Sequence, residues 1–149
     1  MTHQIERHLL LVDDNPNDLE LALEALRGSS PGAQVVTAQG GSAALAYLEA
    51  HTQGESRPSL ILLDLKMPQV DGLSVLDAIR GNSALHDIPV VILTTSREES
   101  DIRACYKHGA NGYLVKPLDF ASFASTLRAT LGFWLGLNQT PGTPSLQMA

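Results

Sequence analysis

The chain has 149 residues, enough for one domain that buries roughly two thirds of its unfolded surface, and a single domain is the expectation. With 44% hydrophobic and 17% charged residues it falls among compact globular proteins, not disordered or fibrous ones. Ten Lys and Arg against 16 Asp and Glu leave a net charge of -6 with no basic run, which argues against a nucleic-acid grip, and no uncharged apolar stretch reaches the ~20 residues of a membrane-spanning helix.

Apolar runs of strand length alternate with amphipathic helical stretches, the pattern of a parallel sheet covered on both faces, and five such repeats are read here. His8 to Asp13 is the first strand. Asn15 as cap, Pro16 at the first helical position and Asp18 in the first turn then open a helix whose apolar face is Leu19, Ala22, Leu23 and Leu26, with Gly28 at its end. A shorter strand around Gln34 to Ala38 leads to a helix from Ser42 to His51, with Ala44, Leu45 and Leu48 facing inward. Thr52 to Pro58 reads as an exposed loop. Ser59 to Leu65 is the most apolar strand and belongs at the centre of the sheet, where both faces are covered.

In the loop Lys66 to Gly72, Met67 and Pro68 shape the chain and Asp71-Gly72 makes a turn; Leu73, Leu76 and Ile79 mark the next helix. Val90 to Thr95 follows as a strand, and Ser96 with Glu99 reads as a capping box that starts a helix stopped by Gly109. Gly112 to Lys116 is the last strand. Asp119 caps a final helix on which Phe123, Leu127, Leu131 and Trp134 keep helical spacing to about Leu135, and Asn138 to Ala149 reads as a frayed tail. The expected organisation is a domain over residues 6–136 with an extended last helix, then a flexible tail over 137–149.

Asp13 and Asp14 close the first apolar run, Asp64 the most apolar one and Thr94 the run after Pro89, while Lys116 follows the last. Polar groups that recur where buried parallel strands end converge on one rim, which is where open α/β folds place their sites. Three carboxylates, a hydroxyl and an ammonium suit a divalent cation and a phosphoryl group. The turn Asp13-Asp14-Asn15-Pro16-Asn17-Asp18 lacks the glycines of a phosphate-binding loop and repels a phosphate unless a cation intervenes. Magnesium would be held weakly there, and without it the clustered carboxylates favour proton uptake. Asp64 can attack phosphorus to give an acyl phosphate, Lys116 offsetting the charge on the phosphoryl oxygens and Thr94 supplying a hydroxyl bond.

The runs Leu9-Leu10-Leu11-Val12-Asp13-Asp14, Leu63-Asp64-Leu65-Lys66-Met67-Pro68-Gln69-Val70-Asp71-Gly72, Leu93-Thr94-Thr95-Ser96 and Tyr113-Leu114-Val115-Lys116-Pro117 together resemble the receiver domain of two-component response regulators, over about residues 6–132. That resemblance implies a flavodoxin-like fold with strand order 2-1-3-4-5 and helices on both faces. It implies Asp64 as phosphoacceptor, Asp14 as a direct Mg2+ ligand, Asp13 as a ligand acting mainly through water, and the Lys66 backbone carbonyl as a further ligand. Thr94 and Tyr113 match the family's switch pair, Lys116 binds the phosphoryl group, and the Lys116-Pro117 bond is expected to be cis. Thr95 departs from the small residue more usual beside the switch hydroxyl and is expected to restrict access to the phosphoryl group. Lys66 and Ser96 flank the path of the attacking water. The run Asp87 to Ser96 and the end Phe133-Trp134-Leu135 resemble stand-alone receivers paired with phytochrome-type histidine kinases, which makes a red-light-sensing kinase the expected phosphodonor.

The remaining residues carry plainer readings. The lone Cys105 reads as a small core filler, the scattered histidines lack zinc spacing, and the polar start of the chain is read as cytoplasmic. Phe133, Trp134 and Leu135 lie past the sheet and are expected to form a homodimer contact with the adjoining last strand and preceding helix; folding of Trp134 back onto its own domain is the alternative. No effector domain is expected, so output passes through another protein. The competing function is an Asp-nucleophile magnesium phosphohydrolase, disfavoured because Asp13 and Asp14 are adjacent instead of spaced as Asp-x-Asp.

Overall fold

The computed structural model describes residues 7–27 and 33–139. Strands β1 (Arg7–Asp13), β2 (Ala33–Gln39), β3 (Leu60–Leu63), β4 (Val90–Thr94) and β5 (Gly112–Val115) pair in parallel in the order β2-β1-β3-β4-β5. The expected order 2-1-3-4-5 is found, with the most apolar segment as the central strand. Successive side chains of a strand point to opposite faces, so burial on both requires continuous apolar runs. Leu9 and Leu11 accordingly join one core with helices α1 (Pro16–Leu26) and α5 (Phe120–Leu131), while Leu10 and Val12 join the other with α2 (Gly41–Ala50), α3 (Gly72–Arg80) and α4 (Glu99–Lys107).

The helix starts show which local signals were decisive. Asn15 accepts from the Asn17 N–H at 2.9 Å and caps α1 ahead of Pro16, and Asp119 accepts from Ser122 N–H at 2.8 Å and caps α5. Asp71, read as half of a turn, is the cap of α3 and accepts from Ser74 N–H at 2.9 Å. Gly72 beside it has to be glycine, because a Cβ there would stand 2.4 Å from the Asp64 carbonyl oxygen. Gly109 stops α4 at φ +105°, a left-handed conformation that glycine alone adopts without strain.

Several local expectations give way to tertiary context. Along α1 the buried face is Leu19, Ala22, Ala25 and Leu26, with Leu23 on its flank. The Ser96/Glu99 capping box does not form: α4 begins at Glu99, after Glu98, and the Ser96 hydroxyl instead accepts from Glu98 N–H at 3.2 Å and donates to Asp101 at 2.6 Å. The Lys116–Pro117 peptide is trans, as are all peptides among the described residues; the intrinsic preference for trans before proline, about 0.5–1 kcal/mol, is not overcome. The Gly28 helix stop and residues 140–149 of the expected tail lie outside the described residues.

The end of the last helix also differs. After Leu131 the chain widens into a π-helical segment, Gly132–Leu137, closed by an Asn138 N–H to Phe133 carbonyl bond of 2.7 Å. The extra residue per turn changes the phase of the apolar stripe. Leu135 is buried and Trp134 is half-buried, its ring edge lying 3.9 Å from where a Cβ on Gly112 would stand, whereas Phe133 and Leu137 are exposed. Trp134 thus rests half-buried on its own sheet, which is the alternative reading of its position.

Arg80, at the end of α3, fastens the side of the sheet away from the rim. Its guanidinium donates to the carbonyls of Gly109, His86 and Ile88 and to the Asn111 side chain, and so joins the loops before β4 and β5 through one planar donor fork.

Candidate functional site

Backbone ladder bonds bring the strand ends level: Asp64 N–H donates to the Val12 carbonyl at 3.0 Å, and Lys116 N–H to the Thr94 carbonyl at 2.7 Å. The residues beyond those ends therefore meet. Carboxylate oxygens of Asp13, Asp14 and Asp64 lie within 4.8 Å of one another, the only such group of three or more potential metal ligands among the described residues. Asp13 and Asp64 are buried and Asp14 is half-exposed. The Lys116 ammonium donates to Asp13 at 2.6 Å and to Asp18 at 3.1 Å.

Asp64 accepts from its neighbour's amide, Leu65 N–H, at 2.9 Å. Burial raises its pKa to about 6 and Asp13 adds to the rise, against the opposing pull of Lys116, the Leu65 amide and the Thr94 hydroxyl. Without a cation this carboxylate takes up a proton just below neutrality, with burial the main cause and the clustering a smaller one; a divalent ion would oppose this by supplying positive charge inside the cluster. Burial disfavours the charged form of Lys116, but the hydrogen bond to Asp13, the nearby Asp64 and the bond to Asp18 outweigh it, and its pKa is raised. Thr94 is buried, and its Oγ1 accepts from Ser96 N–H at 3.5 Å. The Tyr113 hydroxyl donates to the Ser96 carbonyl at 2.9 Å.

The chain matches the response regulator receiver domain family over residues 9–128. It belongs to that family. Among curated relatives it is 40% identical to the probable methanogenesis regulatory protein FilR2 of Methanothrix harundinacea, covering 90% of this chain and 87% of that one. It is 39% identical to response regulator Rcp1 of Synechocystis, covering 85% and 88%. The phosphorylated cyanobacterial phytochrome response regulator RcpA superposes with a TM-score of 0.83 at 38% identity over 92% of this chain and 99% of that one. The Mn2+-bound form of Rcp1 superposes at 0.80, also at 38% identity, over 91% and 99%.

Receiver domains accept a phosphoryl group and bind Mg2+ at an acidic pocket, and they act as signalling proteins rather than classical enzymes. The donor set of this receiver fits such an ion: three hard carboxylates converge at a buried strand edge, with an ammonium beside them to share their charge. No helix among the described residues is long and apolar enough to cross a membrane.

The residues singled out at the receiver's strand ends are thus brought to one rim, and two contributors went unrecognised. Asp18 stands out in sequence only as a first-turn acid, yet it is the second carboxylate on Lys116. Its position in the first turn of α1, which starts at the same rim as Asp13, is the signal that could have found it. Asp101 has no motif at all. Its carboxylate meets the Ser96 hydroxyl and, at 3.3 Å, the Lys66 ammonium. Cys105 is fully buried and burial pushes its thiol up to about 11, in keeping with a core filler. His8 and His51 do come together, but around Tyr47 and not around a ligand set: His8 Nε2 is 2.7 Å from the Tyr47 hydroxyl, and the His51 ring stacks on Tyr47.

Proposed function

We propose that this receiver takes a phosphoryl group from a histidine kinase onto Asp64. The observation that carries the reading is the convergence of Asp13, Asp14 and Asp64 within 4.8 Å, beside an ammonium bonded to Asp13. An Asp64 carboxylate oxygen attacks phosphorus as the bond to the donor's imidazole nitrogen breaks, and the electron pair leaves with the imidazole. Asp13, Asp14, Asp64 and the Lys66 backbone carbonyl would hold Mg2+ in this reading, which would supply positive charge against the phosphoryl oxygens. Lys116 moves from Asp13 to a phosphoryl oxygen while Asp18 keeps it on the rim. Thr94 bonds a second oxygen. Thr94 and Tyr113 form the switch, and the phosphoryl group favours one arrangement of that pair over the other.

The likeness to RcpA supports a phytochrome-type kinase as the donor. Leu21, Leu118 and Phe120 are exposed near Lys116 and offer such a partner an apolar footing. Incubation with magnesium and a small acyl phosphate tests the reading: intact mass should show one phosphoryl group per chain, lost when magnesium is chelated beforehand. Steady turnover of phosphate esters would support the phosphohydrolase instead.

We also infer a homodimer that uses the outer side of the last helix. Phe133, 48% exposed, and Leu137, 75% exposed, are the apolar groups that the π-helical segment leaves uncovered. Phe133→Ser should sediment as a monomer that keeps the wild-type circular dichroism spectrum. A dimer undiminished by that change would remove the inference, whereas Trp134→Ala is expected to loosen the fold itself.

A further inference from the structure

Two loops border the rim: the one after β3, which carries Lys66 two residues beyond Asp64, and the one after β4, which carries Ser96 two residues beyond Thr94. A single side chain joins them. Asp101, in the first turn of α4, accepts the Ser96 hydroxyl at 2.6 Å and lies 3.3 Å from the Lys66 ammonium. Ser96 is engaged on every side, since its N–H reaches Thr94 Oγ1, its hydroxyl accepts from Glu98 N–H and its carbonyl accepts the Tyr113 hydroxyl. The position of Ser96 therefore governs where both switch residues find their partners.

A carboxylate in a first helical turn is ordinarily solvated or caps its own helix. Asp101 does neither; it faces back across the loop, with its side chain 21% exposed, and α4 has no side-chain cap. The Ser96 hydroxyl, more than Lys66, holds its pKa below the usual carboxylate range. Lys66 is 66% exposed, so that ion pair adds little by itself, and the short charge-assisted bond to Ser96 is the strong link.

We propose that Asp101 is a positioning residue for phosphorylation of Asp64: by fixing Ser96, and through Lys66 the loop after Asp64, it maintains the arrangement in which Thr94 faces Asp64 and the Tyr113 hydroxyl rests on the Ser96 carbonyl. The proposal rests on Asp64 being the phosphoacceptor. When only part of the population holds the competent arrangement, the observed rate scales with that part, so loosening Ser96 slows labelling without touching the reacting atoms.

The test follows phosphoryl uptake from a small acyl phosphate with magnesium, by intact mass, for wild type, Asp101→Ala and Ser96→Ala, each also in a Tyr113→Phe background. Both single changes should slow labelling about three- to tenfold, and the additional loss caused by Asp101→Ala should shrink below about twofold once the tyrosine hydroxyl is gone, because coupled residues are not additive. The NMR ring signals of Tyr113 should shift in Asp101→Ala while the thermal midpoint holds. If Asp101→Ala fails to fold, Ser96→Ala carries the test, since it breaks the same bond. Unchanged labelling in the variants, or an equal loss with and without the Tyr113 hydroxyl, would overturn the proposal while leaving the phosphoacceptor in place. Absence of label in the wild type would remove the phosphoacceptor reading, and this proposal with it.

Discussion

Asp64→Asn protein should take up no phosphoryl group and, in metal-free buffer at pH 7.5, should withstand more denaturant than wild type. The nucleophile is gone, but so is the buried carboxylate whose pKa rises from 3.8 to about 6 on folding. An acid with a raised folded pKa binds more protons in the folded state between those two values. Wild-type stability therefore falls as pH rises through that window and levels off above it. A rise of this size corresponds to at most about 3 kcal/mol, less where solvent still screens the cluster, and the amide does not lose it. Urea unfolding in chelator should give the variant the higher midpoint at pH 7.5 and nearly equal midpoints near pH 3.5. Magnesium should close the gap at pH 7.5, because it binds the wild-type cluster better. Equal metal-free midpoints at both pH values would show that the fold does not strain against this charge.

Lys116→Met should lose on both axes, stability and labelling. Its side chain is about 10% exposed, and its ammonium bridges Asp13 at 2.6 Å and Asp18 at 3.1 Å. Removing one partner from a buried ion pair leaves the other charge uncompensated, at a cost of about 3 kcal/mol or more. Magnesium should restore much of that, since the Asp13 oxygen that Lys116 occupies becomes free for the cation, and the variant should bind magnesium several-fold more tightly than wild type. Labelling should nonetheless fall by about a hundredfold, because a positioned cation no longer meets the charge on the phosphoryl oxygens. Denaturant titrations with and without magnesium, set beside mass-detected labelling, check both. A variant labelled at the wild-type rate would take Lys116 out of the chemistry.

How much of this was open to a reader of the sequence depends on the range of the forces involved. Asp13, Asp14, Asp64, Thr94 and Lys116 declared themselves because each ends or follows an apolar run, and the ends of parallel strands lie on one rim whatever the details of packing. The Asn15 and Asp119 caps did so for a similar reason, since a capping side chain bonds a backbone group two or three residues away. Ser96 misled because α4 begins only at Glu99, so its hydroxyl accepts from Glu98 N–H ahead of the helix while donating to Asp101, an arrangement visible only once α4 is placed. Trp134 was harder to place: its spacing with Phe123, Leu127 and Leu131 pointed inward and its position past the sheet pointed outward, and only the packed structure shows the ring half-buried against β5.

The order of apolar and polar segments alone determined that this chain forms a doubly covered parallel sheet with an acidic rim, because burial on both faces demands uninterrupted apolar strands and expels charge to their ends. Only the tertiary structure decided which charges touch. The bond from Lys116 to Asp13 spans 103 residues and that from Lys66 to Asp101 spans 35, and both exist because separate loops are brought to the same edge, a meeting that no local propensity encodes.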